Sequence, residues 1–282
     1  MLSKMMRYLR AIRDLQRLNM SLTRGSVGRS ARCVRLSDPQ TWEFTGFSQN
    51  GEDGILDVLL DKIAAPNRYF VEIGSSDGLE NNTTWLSLVG RYSGLWVEAD
   101  PVTASRSMEL FSPLNHGLTM NQMAATPENV RSIFSDARSR TPDVMSLDID
   151  SYDYFVGESI LKHGVRPRIF VVEYNSAFGP EAQLTVPRTY TISRENAGDH
   201  LYYGASLGAW RSLFAKYGFE FVTVDRNGVN AFFVDPSAFD ATFLSEIDGL
   251  AFAENYAQLV NWPKGWQAQW TLIEDRTFTE PA

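Results

Sequence analysis

Asp148 and Asp150, one residue apart, close a short apolar run, and Glu173 and Asn175 close the next one in the same way. Oxygen-bearing side chains at the ends of two neighbouring strands suit a hard divalent cation such as Mg2+, or removal of a proton from a substrate hydroxyl. This placement assigns metal binding to Asp148, Glu173 and Asn175. It makes Asp150 a candidate general base, and His200 is the other. His200 lies between the polar stretch 185–199 and the block Tyr202-Tyr-Gly-Ala-Ser206, where a substrate-covering loop would sit. The same acids would equally serve as helix caps or as partners of Arg166 and Arg168.

A second constellation lies upstream. Tyr69-Phe-Val-Glu-Ile-Gly-Ser-Ser-Asp-Gly78 reads as a buried strand entering a glycine turn, and the next strand closes on Glu98, about 20 residues past that turn. Glycines let backbone pass close to a ligand, and an acid at the position of Glu98 can accept hydrogen bonds from ribose hydroxyls. A dinucleotide site more typically reads G-x-G-x-x-G. Here the spacing is G-x-x-x-G, with Glu72 inside the strand end. That departure favours S-adenosylmethionine, which has an ammonium for a carboxylate to hold and no pyrophosphate. The expected contacts are Glu72, Gly74, Asp77, Gly78, Asn82, Glu98, Ala124 and Asp148, with residues 122–124 beside the adenine.

The elements that must position these residues alternate. Strand-like runs fall at 69–73, 94–98, 144–149, 169–174, 219–224 and 230–234, and helical patterns at 53–63, 127–138, 152–163 and 206–217. Strands interleaved with helices imply parallel crossovers and a doubly wound α/β sheet. The last two strands, joined through Asp225-Arg-Asn-Gly228, form an antiparallel hairpin. Such a sheet is what a Rossmann-like class I methyltransferase fold would give. Three tryptophans in the tail, Trp262, Trp266 and Trp270, would either cover an acceptor or pack between subunits of a homo-oligomer.

At 282 residues and 44% hydrophobic content the chain can bury a large core. Its single cysteine, Cys33, builds neither a disulfide framework nor a multi-cysteine zinc site, and a cytoplasmic location is expected. The net charge of −8 is uneven. Residues 1–32 hold eight basic residues against Asp14 alone, which leaves −15 on the remainder and argues against broad nucleic-acid binding. Wound as a helix, residues 1–22 place Met5, Tyr8, Leu9, Ile12 and Leu15 on one face and Arg7, Arg10, Arg13 and Arg17 on the other. Burial against the chain's own domain, a dimer mate, an assembly partner and an anionic membrane surface all fit that pattern. Residues 23–40 read as a linker and 41–282 as the globular domain.

Several ordered blocks resemble one family. Phe47-Ser-Gln-Asn-Gly-Glu-Asp-Gly-Ile55 followed by Phe70-Val-Glu-Ile-Gly-Ser-Ser-Asp-Gly-Leu-Glu-Asn-Asn-Thr83 resembles the opening of FkbM-type methyltransferases. Leu147-Asp-Ile-Asp-Ser-Tyr-Asp-Tyr154, Val171-Val-Glu-Tyr-Asn-Ser-Ala-Phe178, Tyr203-Gly-Ala-Ser-Leu207 and Gly228-Val-Asn-Ala-Phe-Phe-Val234 resemble its later blocks. The resemblance spans roughly residues 45–235 and implies methyl transfer to oxygen, commonly a sugar or metabolite hydroxyl. Asp148-x-Asp150 also resembles the metal-bearing strand end of macrocin-type sugar O-methyltransferases. Those carry paired aspartates at the next strand end, where this chain has Glu173 and Asn175. The competing expectations are a dinucleotide-dependent sugar-modifying enzyme and an inactive methyltransferase fold used as a binding module.

Overall fold

Runs such as Ile169-Phe-Val-Val-Glu173 are apolar at every second position on both faces, so the strands they form need cover on both sides. The computed structural model describes residues 2–191, 195 and 197–281. Among the described residues, seven strands form one sheet: β1 (Tyr69–Ile73), β2 (Ser93–Glu98), β3 (Leu118–Gln122), β4 (Val144–Leu147), β5 (Ile169–Glu173), β6 (Glu220–Val224) and β7 (Asn230–Val234). Their order is β3-β2-β1-β4-β5-β7-β6. The first five are parallel, and β7 runs antiparallel between β5 and β6. The doubly wound sheet with a C-terminal antiparallel hairpin is therefore present.

Helices cover both faces. On one face Val71, Val97, Met145, Leu147 and Val172 pack with Val156 and Ile160 of α6 (Asp153–Lys162) and Trp210 and Phe214 of α7 (Leu207–Lys216). On the other, Phe70, Trp96, Val144 and Val171 meet α2 (Glu52–Lys62), α3 (Thr84–Leu88) and α4 (Pro101–Phe111) through Ile55, Leu59, Trp85 and Phe111. Successive side chains of a strand point to opposite faces, which is why neighbours such as Phe70 and Val71 belong to different cores. The tail forms α8 (Ala241–Ser245), α9 (Tyr256–Asn261) and α10 (Trp266–Trp270). Trp270 stacks on Phe278 at 5.2 Å, and Trp266 lies against Gly179.

Three expectations need correcting. α1 runs unbroken over Leu2–Ala31, so residues 23–31 are its last turns and not a linker. Gly25 and Gly28, which read as linker glycines, let this helix lie against Trp85 and Phe44, where a Cβ would sit 2.4 Å and 3.1 Å from ring and side-chain carbons. β3, absent from the strand pattern, is an edge strand whose Leu-Thr-Met-Asn-Gln sequence is half polar. The stretch 127–138 is no continuous helix: a 3-10 turn at Val130–Ser132 precedes α5 (Ala137–Arg140). Asn129 accepts from the Thr126 N–H and Asp136 from those of Arg138 and Ser139, local bonds that compete with a helical ladder.

Candidate functional site

The C-terminal ends of β1, β2 and β4 are where a doubly wound sheet offers a ligand crevice. A cavity of about 490 Å3 opens there, a size that suits a nucleoside-bearing ligand. Gly74 forms its floor with φ +87°, and a Cβ on it would lie 1.6 Å from the Asp148 carbonyl, so no side chain fits. Glu98 stands at one wall, its two oxygens accepting from the N–H groups of Ser76 (2.9 Å) and Asp100 (2.8 Å). Asp77, Asp148 and Asp150 add three more carboxylates to the lining. The cation that lines it, Arg17 of α1, is held by Asp77 at 3.0 Å and Glu80 at 2.9 Å. Such a cavity favours a ligand carrying positive charge and repels a pyrophosphate.

Next to it lies a second cavity of about 530 Å3, lined by Asp150, Glu173, His200, Tyr203, Asn255, Gln258, Asn261 and Trp262. Asp150 lines both, with a backbone held at φ +57°, a left-handed conformation. Asp148, Asp150 and Glu173 can each turn an oxygen to within 4.8 Å of the others. Burial first, then the charges of Asp150 and Asp153, hold the Asp148 carboxyl well above the ordinary range. Glu173 moves the same way, through burial and then the Asp148 charge. Its Oε2 is buried with no hydrogen-bond partner. An unmatched carboxylate oxygen beside two further carboxylates is a donor set that fits a hard divalent ion, which would take the place of shared protons.

The structure thus brings together Gly74, Asp77, Glu98, Asp148, Asp150, Glu173 and His200 around two adjoining cavities. Other expected contacts lie elsewhere. Asn175 is turned to its own chain: its Nδ2 donates to the carbonyls of Leu201 and Tyr203, and its Oδ1 accepts from Ala177 N–H. Glu72 is buried and lines neither cavity; it accepts from Asn82 N–H (2.9 Å) and the Thr83 hydroxyl. Asn82 in turn donates to Ser146 Oγ. A Cβ on Gly78 would meet Phe111 and Trp96, so this glycine admits aromatic packing, and Thr84 donates to its carbonyl. Met123 and Ala125 line the first cavity, whereas the Ala124 carbonyl accepts from Asn129. Positions 192–194 and 196 of the expected covering stretch lie outside the described residues.

Of the expected 122–124 segment, Met123 lines the first cavity; sequence reasoning missed Arg17, Gln49 and Ala125 there, and Tyr203, Asn255, Gln258 and Asn261 at the second. The spacing Asn255-x-x-Gln258-x-x-Asn261, three amides on one face of α9 and its cap, was a usable signal. Arg17 could be found only through the fold, since it reaches the site from 60 residues away in the chain.

No protein family and no curated protein matches this chain. Solved structures are similar to it at low identity. An O-methyltransferase from Bacillus cereus in complex with S-adenosylhomocysteine aligns at 15% identity and a TM-score of 0.45, covering 77% of this chain and 89% of that one. The CurJ carbon methyltransferase aligns at 14% and 0.43, covering 64% of this chain and 52% of its own. Geranyl diphosphate C-methyltransferase from Streptomyces coelicolor aligns at 11% and 0.40, covering 61% and 63%. This chain spans less than two thirds of the length of the last two. Likeness at these TM-scores carries nothing about substrate or activity.

Proposed function

We propose that the chain is an S-adenosylmethionine-dependent O-methyltransferase of the FkbM type, acting on a hydroxyl of a sugar, glycan or glycosylated metabolite. The observation that carries this reading is the shared wall: Asp150 borders both an acid-rich nucleoside-sized cavity and a polar second cavity. A cofactor with a cationic sulfonium and ammonium suits the first, and dinucleotides do not. Glu98 would hold the ribose and Gly74 would let the chain of the cofactor pass. The sequence blocks from Phe47 to Val234 support the FkbM assignment.

The second cavity supports a sugar acceptor. Asn255 and Asn261 offer amides that pair with neighbouring hydroxyls, and Trp262 offers a ring face for the C–H side of a pyranose. A divalent ion, Mg2+ by its ligand chemistry, would be held by Asp148, Asp150 and Glu173 and would lower the pKa of an acceptor hydroxyl. His200 would take that hydroxyl's single proton when Asp150 holds the ion, and Asp150 would take it otherwise. Holding donor and acceptor in adjoining cavities would supply alignment.

Calorimetry with S-adenosylhomocysteine and NAD, followed by mass spectrometry of glycan acceptors incubated with S-adenosylmethionine, tests this. The expected result is binding of the first ligand alone and a product one methyl heavier. Binding of NAD instead would overturn the reading, and cofactor binding with no product from any acceptor class would favour the inactive binding module.

A further inference from the structure

α1 carries two stripes that face different ways. Asp14, Leu18 and Ser21 are buried against the domain, and Gly25 continues that line onto Trp85. At 100° per residue, Met5, Leu9 and Ile12 fall on the opposite side, flanked by Tyr8 and Leu15. All five are exposed, from 37% for Ile12 to 68% for Tyr8. The helix therefore packs through a stripe centred on Asp14 and Leu18 and leaves its most apolar face uncovered. A groove of about 730 Å3 opens alongside, between α1 and α4, walled by Ala11, Leu15, Val102, Leu110 and Leu114. That groove also carries Asp14, Arg106 and Glu109 and lies on the packed side of α1, so the uncovered stripe of Met5, Leu9 and Ile12 stands apart from it.

Charge selects the occupant. Residues 1–13 hold Lys4, Arg7, Arg10 and Arg13 and no acid. Two such arms laid together would concentrate like charge, whereas an anionic surface complements it. We propose that the uncovered face of α1 docks on an anionic phospholipid membrane. The apolar stripe would enter the headgroup boundary with the helix in the plane of the surface; the long stem of Arg13, nearer that stripe, would carry its guanidinium group to lipid phosphates, and Arg10 would add longer-range attraction. No described helix is long and apolar enough to cross a membrane, so the contact is peripheral. This inference does not depend on the reaction proposed above.

Flotation of the full chain with phosphatidylcholine vesicles, with and without phosphatidylglycerol, tests it. Binding is expected only where phosphatidylglycerol is present and should weaken with added salt. Leu9→Gln with Ile12→Gln should abolish it, and Arg10→Gln with Arg13→Gln should lower partitioning about fivefold for each arginine removed. These side chains are exposed, so unchanged thermal melts of both variants separate lost docking from lost folding. Absence of binding, or equal binding to both vesicle types, would overturn the proposal. A dimer in sedimentation that the Leu9 and Ile12 variant dissociates, without vesicle binding, would make the face a contact between copies of the chain.

Discussion

Glu98 and Asp100 differ only in what their carboxylates are turned toward, and that difference decides which of them can touch a ligand. Asp100 spends its side chain on the first turn of α4, accepting from Thr103 N–H at 2.7 Å. Glu98 accepts one backbone N–H per oxygen and keeps lone pairs for the cavity it lines. Glu98→Ala should therefore weaken S-adenosylhomocysteine by about 1–3 kcal/mol in calorimetry, the scale of a lost hydrogen bond to a charged group. Unchanged affinity would remove Glu98 from the site. Asn175 and Glu173 give a paired case. Glu173→Gln should abolish saturable Mn2+ binding seen by proton relaxation while the fold persists, because a carboxylate with an unmatched oxygen is lost. Asn175→Ala should leave ion binding intact and lower unfolding stability by about 1–3 kcal/mol, since the Leu201 and Tyr203 carbonyls lose their donor. The reverse pattern would restore Asn175 as a ligand. From sequence, both residues carry oxygen at the same strand end; only packing shows that the amide of Asn175 is used up as a bracket for the 201–203 segment.

At the scale of elements, legibility follows burial. β1, β4 and β5 were readable because strands covered on both faces are mostly apolar, and a hairpin turn at Asp225–Gly228 announces β6 and β7. β3 was not, because an edge strand keeps one side in water and its composition has no period to detect. The end of α1 was misread for a related reason: glycines look like punctuation, and nothing local reveals that Trp85 and Phe44 occupy the space their missing side chains leave. The observed helix divides the arm functionally. Met5, Met6, Tyr8 and Leu9 are exposed, whereas residues 14–25 carry Leu18, the Asp14–Arg106 ion pair and the Arg17 contacts to Asp77 and Glu80. A chain starting at residue 10 should melt with the full chain and keep its cofactor affinity. One starting at residue 23 should lose stability on the scale of a deleted core leucine, about 2–5 kcal/mol, and bind S-adenosylhomocysteine more weakly. Equal melting of all three chains would show that α1 contributes nothing to the fold.

For the whole molecule, the placement of acids sets how stability depends on pH. Asp53 is fully buried, and burial outweighs the three N–H groups it accepts from Gly46, Phe47 and Ser48, so its carboxyl is pushed up to about 7. Burial likewise raises Glu72 to about 7 against the pull of Thr83 and Asn82. Both groups hold their proton more tightly folded than unfolded. The stability they give is complete below the unfolded carboxylate range and is lost as pH rises toward 7, after which it is level. Asp235 behaves oppositely: burial pushes it up, but Arg166 and Ser237 pull it down further, so its contribution fades only as pH falls below the ordinary carboxylate range. Between pH 5.5 and 8 the rising groups act alone, and growing negative charge on the acidic body adds in the same direction. Denaturant unfolding should therefore give a lower free energy at pH 8 than at pH 5.5, by about 2 kcal/mol for each of Asp53 and Glu72. Glu72→Gln cannot titrate and should remove its own share of that fall, leaving a shallower profile than the parent chain. A parent profile that is flat or rises over this interval would mean that both carboxylates are ionised in the folded protein, with their hydrogen bonds outweighing burial.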